Sequence, residues 1–294
     1  MPNRVRKAVF PVAGLGTRLL PATKSIPKEM VTIVDRPLIQ YAVDEAREAG
    51  IEELIFVTGR GKSALVDYFD QAFELETTLR EKGKSLDVLA PSNAKFGEVV
   101  TVRQQQPLGL GHAVWCARHI VGNEPFAVLL PDELMIGKPG CLAQMVEAYD
   151  RVGGNIVAAL EVPESETHKY GVIDPGATDG RLTEIRGMVE KPPQGTSPSN
   201  LMLPGRYILQ PEVMLALDAK EKGAGGEIQL TDAIAKLIGS QSLNAYRFDG
   251  ERYDCGSAVG FVIANLAVAQ RRDDVGPSIR EFLDEAYGSS STSQ

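Results

Sequence analysis

Residues 11–30 read PVAGLGTRLLPATKSIPKEM, and their types and spacing suit them to anion chemistry. Glycines at 14 and 16 leave the backbone without Cβ atoms, so its N–H groups can turn toward a phosphate or a nucleobase. Arg18, Lys24 and Lys28 follow, and Pro21 and Pro27 stiffen the segment. Residues 1–28 hold Arg4, Arg6, Lys7, Arg18, Lys24 and Lys28 and no acidic residue, in a chain whose net charge is −8. That asymmetry predicts a polyphosphate site. Two competing phosphate motifs fail on spacing. A dinucleotide loop G-x-G-x-x-G meets Leu19 at its third glycine. The TGRGKS run at 58–63 ends like a Walker A loop, but Phe56 stands where the first glycine is required; GKS at 83–85 has Thr78 there.

Bulk composition narrows the classes. Hydrophobic residues make up 43% of the 294, enough for a sizeable core, and charged residues 24%. The negative net charge argues against sequence-independent binding to nucleic acid or an anionic membrane. Cys116, Cys141 and Cys255 are few, odd in number and widely spaced, and His112, His119 and His168 form no ligand-spaced cluster. A zinc site or disulfide framework is therefore not expected, and reduced thiols fit a cytoplasmic protein. The apolar run after Arg4, Arg6 and Lys7 is broken by Pro11, Gly14 and Gly16, so a secretory signal is not expected there, and no apolar stretch reaches bilayer length.

The elements that must position the loop follow from periodicity. Apolar runs at 7–13, 54–58, 99–103 and 126–130 predict strands. Patterns at 37–49, 63–82 and 112–120 predict helices between them, the second with Leu65, Phe69, Ala72 and Phe73 on one face. That alternation implies a parallel sheet covered by helices, with ligands at the carboxyl ends of its strands. Beyond it, 155–162, 170–174, 181–190 and 201–209 are β-like, and helices are expected at 211–219, 228–238, 258–271 and 277–286. With no long linker and no repeat, residues 1–288 are expected to form a single α/β domain with a mixed central sheet, and 289–294 a disordered tail.

AGLGTR followed by PKEM is similar to the signature of the sugar-nucleotide pyrophosphorylases. VDRPLIQY (34–41), VTGRGK (57–62), PLGLGHAV (107–114), LLPDE (129–133), HKYGVI (168–173), MVEKP (188–192), GEIQLTDAI (226–234) and YDCGS (253–257) resemble, in order, blocks of the bacterial UTP–glucose-1-phosphate uridylyltransferases. The resemblance implies a Rossmann-like nucleotidyltransferase fold with a mostly parallel sheet, a small β-rich sugar-side region and C-terminal helices. It implies UTP and glucose 1-phosphate as substrates, UDP-glucose and pyrophosphate as products, and Mg²⁺ as cofactor. Ala13 and Gly14 would meet the uracil through backbone, with Gly16 in the same loop. Gln104 would pair with its edge and Gly109 pack against it. Arg18 would bind the outer phosphates, and Lys28 the triphosphate or the leaving group. Gly171 would lie against the sugar beside Tyr170, Glu190 would take a glucose hydroxyl, and Lys191 the sugar phosphate. Asp132 would hold Mg²⁺, with Asp254 the second candidate. The resemblance also suggests a homodimer or homotetramer. Two positions depart from the pattern: Ala258 replaces a usual basic residue, and Asp132-Glu133 replaces Asp-Asp. A thymidine nucleotide remains an alternative substrate, since base choice depends on pocket shape around Gln104 and Gly109. His112 is expected to pack or cap rather than react.

Overall fold

The computed structural model describes residues 3–287; the expected tail at 289–294 lies outside them. The chain opens with β1 (Lys7–Pro11), a short ladder of β2 (Thr32–Ile33) with β3 (Arg36–Pro37), and α1 (Leu38–Glu48). Then come β4 (Glu53–Thr58), α2 (Ser63–Asp67), α3 (Phe73–Glu81), β5 (Val99–Arg103), α4 (Leu110–Cys116) and α5 (Arg118–Val121). Next are β6 (Phe126–Leu129), β7 (Glu133–Ile136), α6 (Cys141–Val152) and β8 (Asn155–Glu161). The long pair β9 (Gly171–Asp179) and β10 (Leu182–Glu190) leads to β11 (Leu201–Met202) and β12 (Arg206–Leu209). The chain then runs through α7 (Val213–Asp218), α8 (Leu230–Ala235), β13 (Leu243–Arg247), β14 (Glu251–Asp254), α9 (Ala258–Arg271) and α10 (Gly276–Tyr287).

Ten strands form one sheet in the order β11-β9-β10-β13-β8-β12-β6-β1-β4-β5. β5, β4, β1 and β6 pair in parallel, as the alternating first half predicts. β12 is inserted antiparallel between β6 and β8, β13 is parallel to β8, and β10 turns antiparallel again. Seven strands therefore share one direction, with β10, β11 and β12 opposed. The sheet is mixed and mostly parallel.

Successive side chains of a strand point to opposite faces. Ala8 and Phe10 of β1 accordingly join Phe56, Ala127 and Ile156 under α1 and α6, while Val9 joins Val57, Val128 and Val157 under α4, α7 and α8. Burial on both faces is why these strands read as continuous apolar runs rather than alternating ones. A third cluster, with Ile33, Leu38, Leu134, Ala264 and Val268, seats α9.

Several elements differ from the sequence reading. The helix expected over 63–82 is two, α2 and α3, because the chain bends at 68–72 to push Phe69 into the core. Leu65 and Phe69 are buried, whereas Ala72 is exposed and Phe73 is 65% exposed, so the four do not share a buried face. The 112–120 helix divides at Ala117 into α4 and α5, and 201–209 divides into β11 and β12 around Gly205, whose φ is +80°. β7, β13 and β14 were not foreseen.

Candidate nucleotide site

A cleft of about 530 Å³ opens where β1, β4, β5 and β6 end. Ala13, Gly14, Gly16, Arg18, Lys28, Gln104, Gly109 and Asp132 all line it. The parallel ladder continues just past the strands: the Val12 N–H donates to Val57 O at 3.0 Å, and the Gln104 N–H to Thr58 O at 2.9 Å. The loops that follow are thereby aimed to one side, as the carboxyl ends of parallel strands require.

The glycine loop is held by short-range contacts. Gly16 adopts φ +67°, and a Cβ there would lie 3.1 Å from Lys28 and 3.2 Å from Thr23. The Thr23 hydroxyl donates to Gly16 O at 2.8 Å. Single 3-10 turns at Thr17–Leu19, Ala22–Lys24 and Lys28–Met30 then carry Arg18 and Lys28 to the cleft wall. The remaining basic residues of 1–28 do not all serve this site. Arg4, Arg6 and Lys7 lie at the opposite end of β1, paired with Glu52 and Glu124.

Lys28 and Asp132 form the electrostatic centre. The Lys28 ammonium donates to Asp132 Oδ2 at 2.6 Å, and Arg18 stands 3.9 Å from the same oxygen. Burial works against the Lys28 charge, but the Asp132 and Glu29 carboxylates outweigh it and raise its pKa. For Asp132 burial likewise opposes ionisation, and the charge and hydrogen bond of Lys28 prevail, leaving its carboxyl below the ordinary value. Beneath Lys28, Glu29 is fully buried and accepts from Lys62 at 2.8 Å. Burial pushes the Glu29 carboxyl up, against the pull of Lys62 and Lys28. The lysine of the failed Walker motif thus serves as an internal counter-ion.

Asp132 sits on the short link between β6 and β7, and Arg206 fixes that link. This arginine, 1% exposed, donates to Leu130 O and Glu133 O, both at 2.8 Å, on either side of Asp132. It is anchored in turn on Glu45 of α1, at 2.9 Å. β14 pairs antiparallel with β7, Asp254 opposite Glu133, and the Cys255 N–H donates to Asp132 O at 2.8 Å. The register sets Cys255 across from Asp132 and Asp254 across from Glu133, and Asp254 does not itself line the cleft. Glu133 itself is taken by Arg252 in a bidentate pair at 2.6 and 2.7 Å, so the second acidic residue of LLPDE is occupied.

Asp132 Oδ1 and Asp254 Oδ2 accept from no described residue. Among the described residues no group of three acidic, histidine or cysteine ligands forms a complete cage. Two carboxylates with free oxygens suit a hard cation that completes its shell with water and substrate phosphate, which is the usual habit of Mg²⁺.

The sugar-side residues form a neighbouring cluster and do not line the same cleft. Glu190, at the end of β10, accepts from Thr231 at 2.7 Å, and a Cβ on Gly171 would lie 2.8 Å from Glu190 Oε2. Lys191 has φ +48°, donates its N–H to Tyr170 O at 3.0 Å, and holds its ammonium 3.7 Å from Glu190. Arg252 links the two groups by donating to the Tyr170 hydroxyl at 3.3 Å as well as to Glu133. Arg252, Arg206, Glu45, Glu29 and Lys62 were not singled out from sequence. Their ion pairs join positions that only the folded topology brings together. GEIQLTDAI supplies Glu227 to the cleft wall and Thr231 to Glu190.

The chain matches the nucleotidyl transferase family over residues 7–271 and belongs to it. Within that family it is 52% identical over 261 residues to the UTP–glucose-1-phosphate uridylyltransferase of Komagataeibacter xylinus, covering 88% of this chain and 92% of the relative. It is 48% identical over 283 residues to the enzyme of that name from Bacillus subtilis, covering 96% and 97%. A UTP-bound UGPase from Acinetobacter baumannii superposes with a TM-score of 0.88 at 45% identity, covering 96% of this chain and 99% of that one. A UDP-glucose pyrophosphorylase complexed with UDP-glucose gives 0.83 at 45% identity, covering 91% and 100%.

Proposed function

We propose that this protein transfers a uridylyl group from UTP to glucose 1-phosphate, yielding UDP-glucose and pyrophosphate. The observation that carries the proposal is the convergence of Arg18 and Lys28 on Asp132, beside the Gly14–Gly16 loop, Gln104 and Gly109 in one cleft. The relatives that bear this activity by name, with near-full coverage, support the substrate pair.

A phosphate oxygen of glucose 1-phosphate attacks the α-phosphorus of UTP in line. The new P–O bond forms as the α–β bridge breaks, and pyrophosphate leaves with the bridging oxygen. That nucleophile is already ionised at neutral pH, so no general base is needed. The obstacle is repulsion between two anions, and positioning plus charge neutralisation overcomes it. Ala13 and Gly14 offer backbone to the uracil, Gln104 reads its edge, and Gly109 packs on its face. Arg18 and Lys28 hold the departing pyrophosphate. Lys191 orients the incoming phosphate, while Glu190 and Gly171 seat the glucose ring. Asp132 and Asp254 would hold Mg²⁺, which would supply further neutralisation of the triphosphate charge.

The protein acts in the cytoplasm, as three unpaired cysteines suggest; no helix among the described residues is long and apolar enough to cross a membrane. It assembles as a homodimer or homotetramer through α9, where Val259, Val262, Ile263 and Leu266 are exposed. Light scattering on the purified protein checks the assembly, and a monomer would refute it.

The activity is tested by pyrophosphate release from UTP and glucose 1-phosphate, with Mg²⁺ or with EDTA, against dTTP and other sugar phosphates. Mg²⁺-dependent release fastest with UTP and glucose 1-phosphate is expected. Faster release with dTTP or with another sugar phosphate overturns the substrate assignment.

A further inference from the structure

Gln104 leads out of β5 to the cleft, and the surroundings of its amide settle which way it faces. One terminal atom lies 3.0 Å from Gly109 O. A carbonyl oxygen only accepts, so that atom is the amide nitrogen. The same nitrogen lies 3.1 Å from His112 Nδ1, on the first turn of α4. An amide nitrogen has two hydrogens. If Gly109 O takes one and His112 Nδ1 the other, both are spent, and Nδ1 must carry no proton. The Cys116 thiol lies 4.0 Å from the same Nδ1 and can donate or accept there, so it is compatible with that tautomer. Gln104 Oε1 then remains, accepting from no described residue, on a side chain that lines the cleft.

We propose that His112 is a positioning residue that locks the Gln104 amide with its carbonyl oxygen toward the base, selecting a pyrimidine whose ring nitrogen carries a hydrogen. This rests on the reading of Gln104 as the residue that meets the base edge. Uracil presents a ring N–H between two carbonyls and matches a lone acceptor. Cytosine presents an unprotonated ring nitrogen there, and two acceptors repel. Gly109 O alone fixes one hydrogen; His112 removes the freedom of the other and penalises the flipped amide.

Protonating His112 reverses the arrangement. Nδ1–H would confront the amide N–H groups, and flipping the amide to relieve that contact would set Oε1 against Gly109 O. Neither orientation satisfies all partners. The groups around the imidazole are Cys116 and the stacked Trp115 ring from α4, Arg118 at the start of α5, Lys220 after α7, and Arg103 from β5 in the adjoining pocket. The acidic Asp218 is engaged by the Trp115 indole N–H at 3.1 Å. Burial, with Lys220 and Arg118, moves the His112 pKa below its ordinary 6.5, favouring the neutral ring the arrangement needs.

The test is kcat and KM with UTP and with CTP, from about pH 5.5 to 8, for wild type, Gln104→Leu, His112→Phe and His112→Asn. Asn can place an acceptor oxygen near the Nδ1 position without titrating. His112→Phe is expected to lower the UTP/CTP preference roughly three- to tenfold, through KM for UTP rather than kcat. His112→Asn should keep the preference at every pH, whereas wild type should lose it on the acid side of 6.5. An unchanged preference in His112→Phe, or equal damage in both His112 variants, overturns the inference. Should His112→Phe not fold, a His112→Asn profile that still follows wild type at acid pH does the same. If Gln104→Leu leaves the preference intact, the reading of Gln104 fails and the inference falls with it. If Gln104→Leu abolishes the preference while His112→Phe does not alter it, only the role of His112 is lost.

Discussion

Asp132 shares one oxygen with Lys28 at 2.6 Å and faces Arg18 at 3.9 Å, so a single carboxylate organises both cations of the cleft. Lys28→Ala is expected to raise the barrier by about 2–4 kcal/mol, roughly 30- to 900-fold in kcat/KM. Near-wild-type kinetics in the folded variant would take Lys28 out of the reaction. The pair also predicts a pH dependence. The folded Asp132 pKa is depressed below 3.8, so its contribution is complete above that value and is lost as pH falls through the folded one. Glu29 acts in the opposite sense: with its pKa raised above 4.5, it favours the fold at lower pH and loses that contribution as pH rises. Asp132→Asn should therefore flatten the acid limb of stability relative to wild type while leaving the Glu29 limb, as thermal melts across pH would report. Arg18 and Lys28 were legible in sequence because they share one short segment with two glycines. Arg4, Arg6 and Lys7 looked equivalent there, since a string of letters does not say that β1 carries them to the far end. Arg252 was not legible, because its partner Glu133 lies 119 positions away.

At the scale of elements, the site depends on how loops leave the strands. Gly109 has φ +108°, and a Cβ there would fall 2.7 Å from Glu227 Cβ and 2.8 and 2.9 Å from the Ile228 backbone. The Ile228 N–H donates to Leu108 O at 2.8 Å, and the Gly111 N–H to Ile228 O at 2.8 Å, so the glycine permits the 107–111 segment to dock on 227–228. Gly109→Ala combines backbone strain of about 1–3 kcal/mol with a clash against main chain. It is expected to raise KM for UTP at least about tenfold and to lower the melting temperature. An unchanged KM would show that this docking does not shape the base site. The strands that build the parallel half were legible because both their faces are buried. β7 and β14 were not, being four-residue strands that carry Glu133, Glu251 and Arg252 and stabilise each other across a long separation. The break between α2 and α3 was equally hidden. Leu65 and Phe69 stand at helical spacing, and only the packed core reveals that Phe73 does not continue the face.

Across the whole molecule, the pair Glu45–Arg206 ties the helical layer to β12, in the middle of the sheet, beside the link that carries Asp132. Glu45 on α1 also accepts from the Leu142 N–H of α6 at 3.0 Å, while Arg206 on β12 holds the carbonyls flanking Asp132. Both side chains are buried, at 7% and 1% exposure. An ion pair so desolvated adds little net stability compared with apolar packing, but removing one member strands a charge. Glu45→Ala is therefore expected to cost about 3–5 kcal/mol, because the Arg206 guanidinium has no other carboxylate partner among the described residues. For a chain of this size that lowers the melting temperature by on the order of 10 °C. Replacing both residues with methionine should recover part of the stability, since no charge is then buried alone, although the Leu142 N–H and the Leu130 and Glu133 carbonyls lose these partners. It should not recover turnover, because the backbone around Asp132 would lose the two hydrogen bonds that set its carboxylate opposite Lys28. Stability and activity should thus separate in the double variant. If turnover returned together with stability, the Arg206 clamp would have no part in placing Asp132, and the β14 ladder with the Cys255-to-Asp132 hydrogen bond would suffice to hold the carboxylate in the cleft.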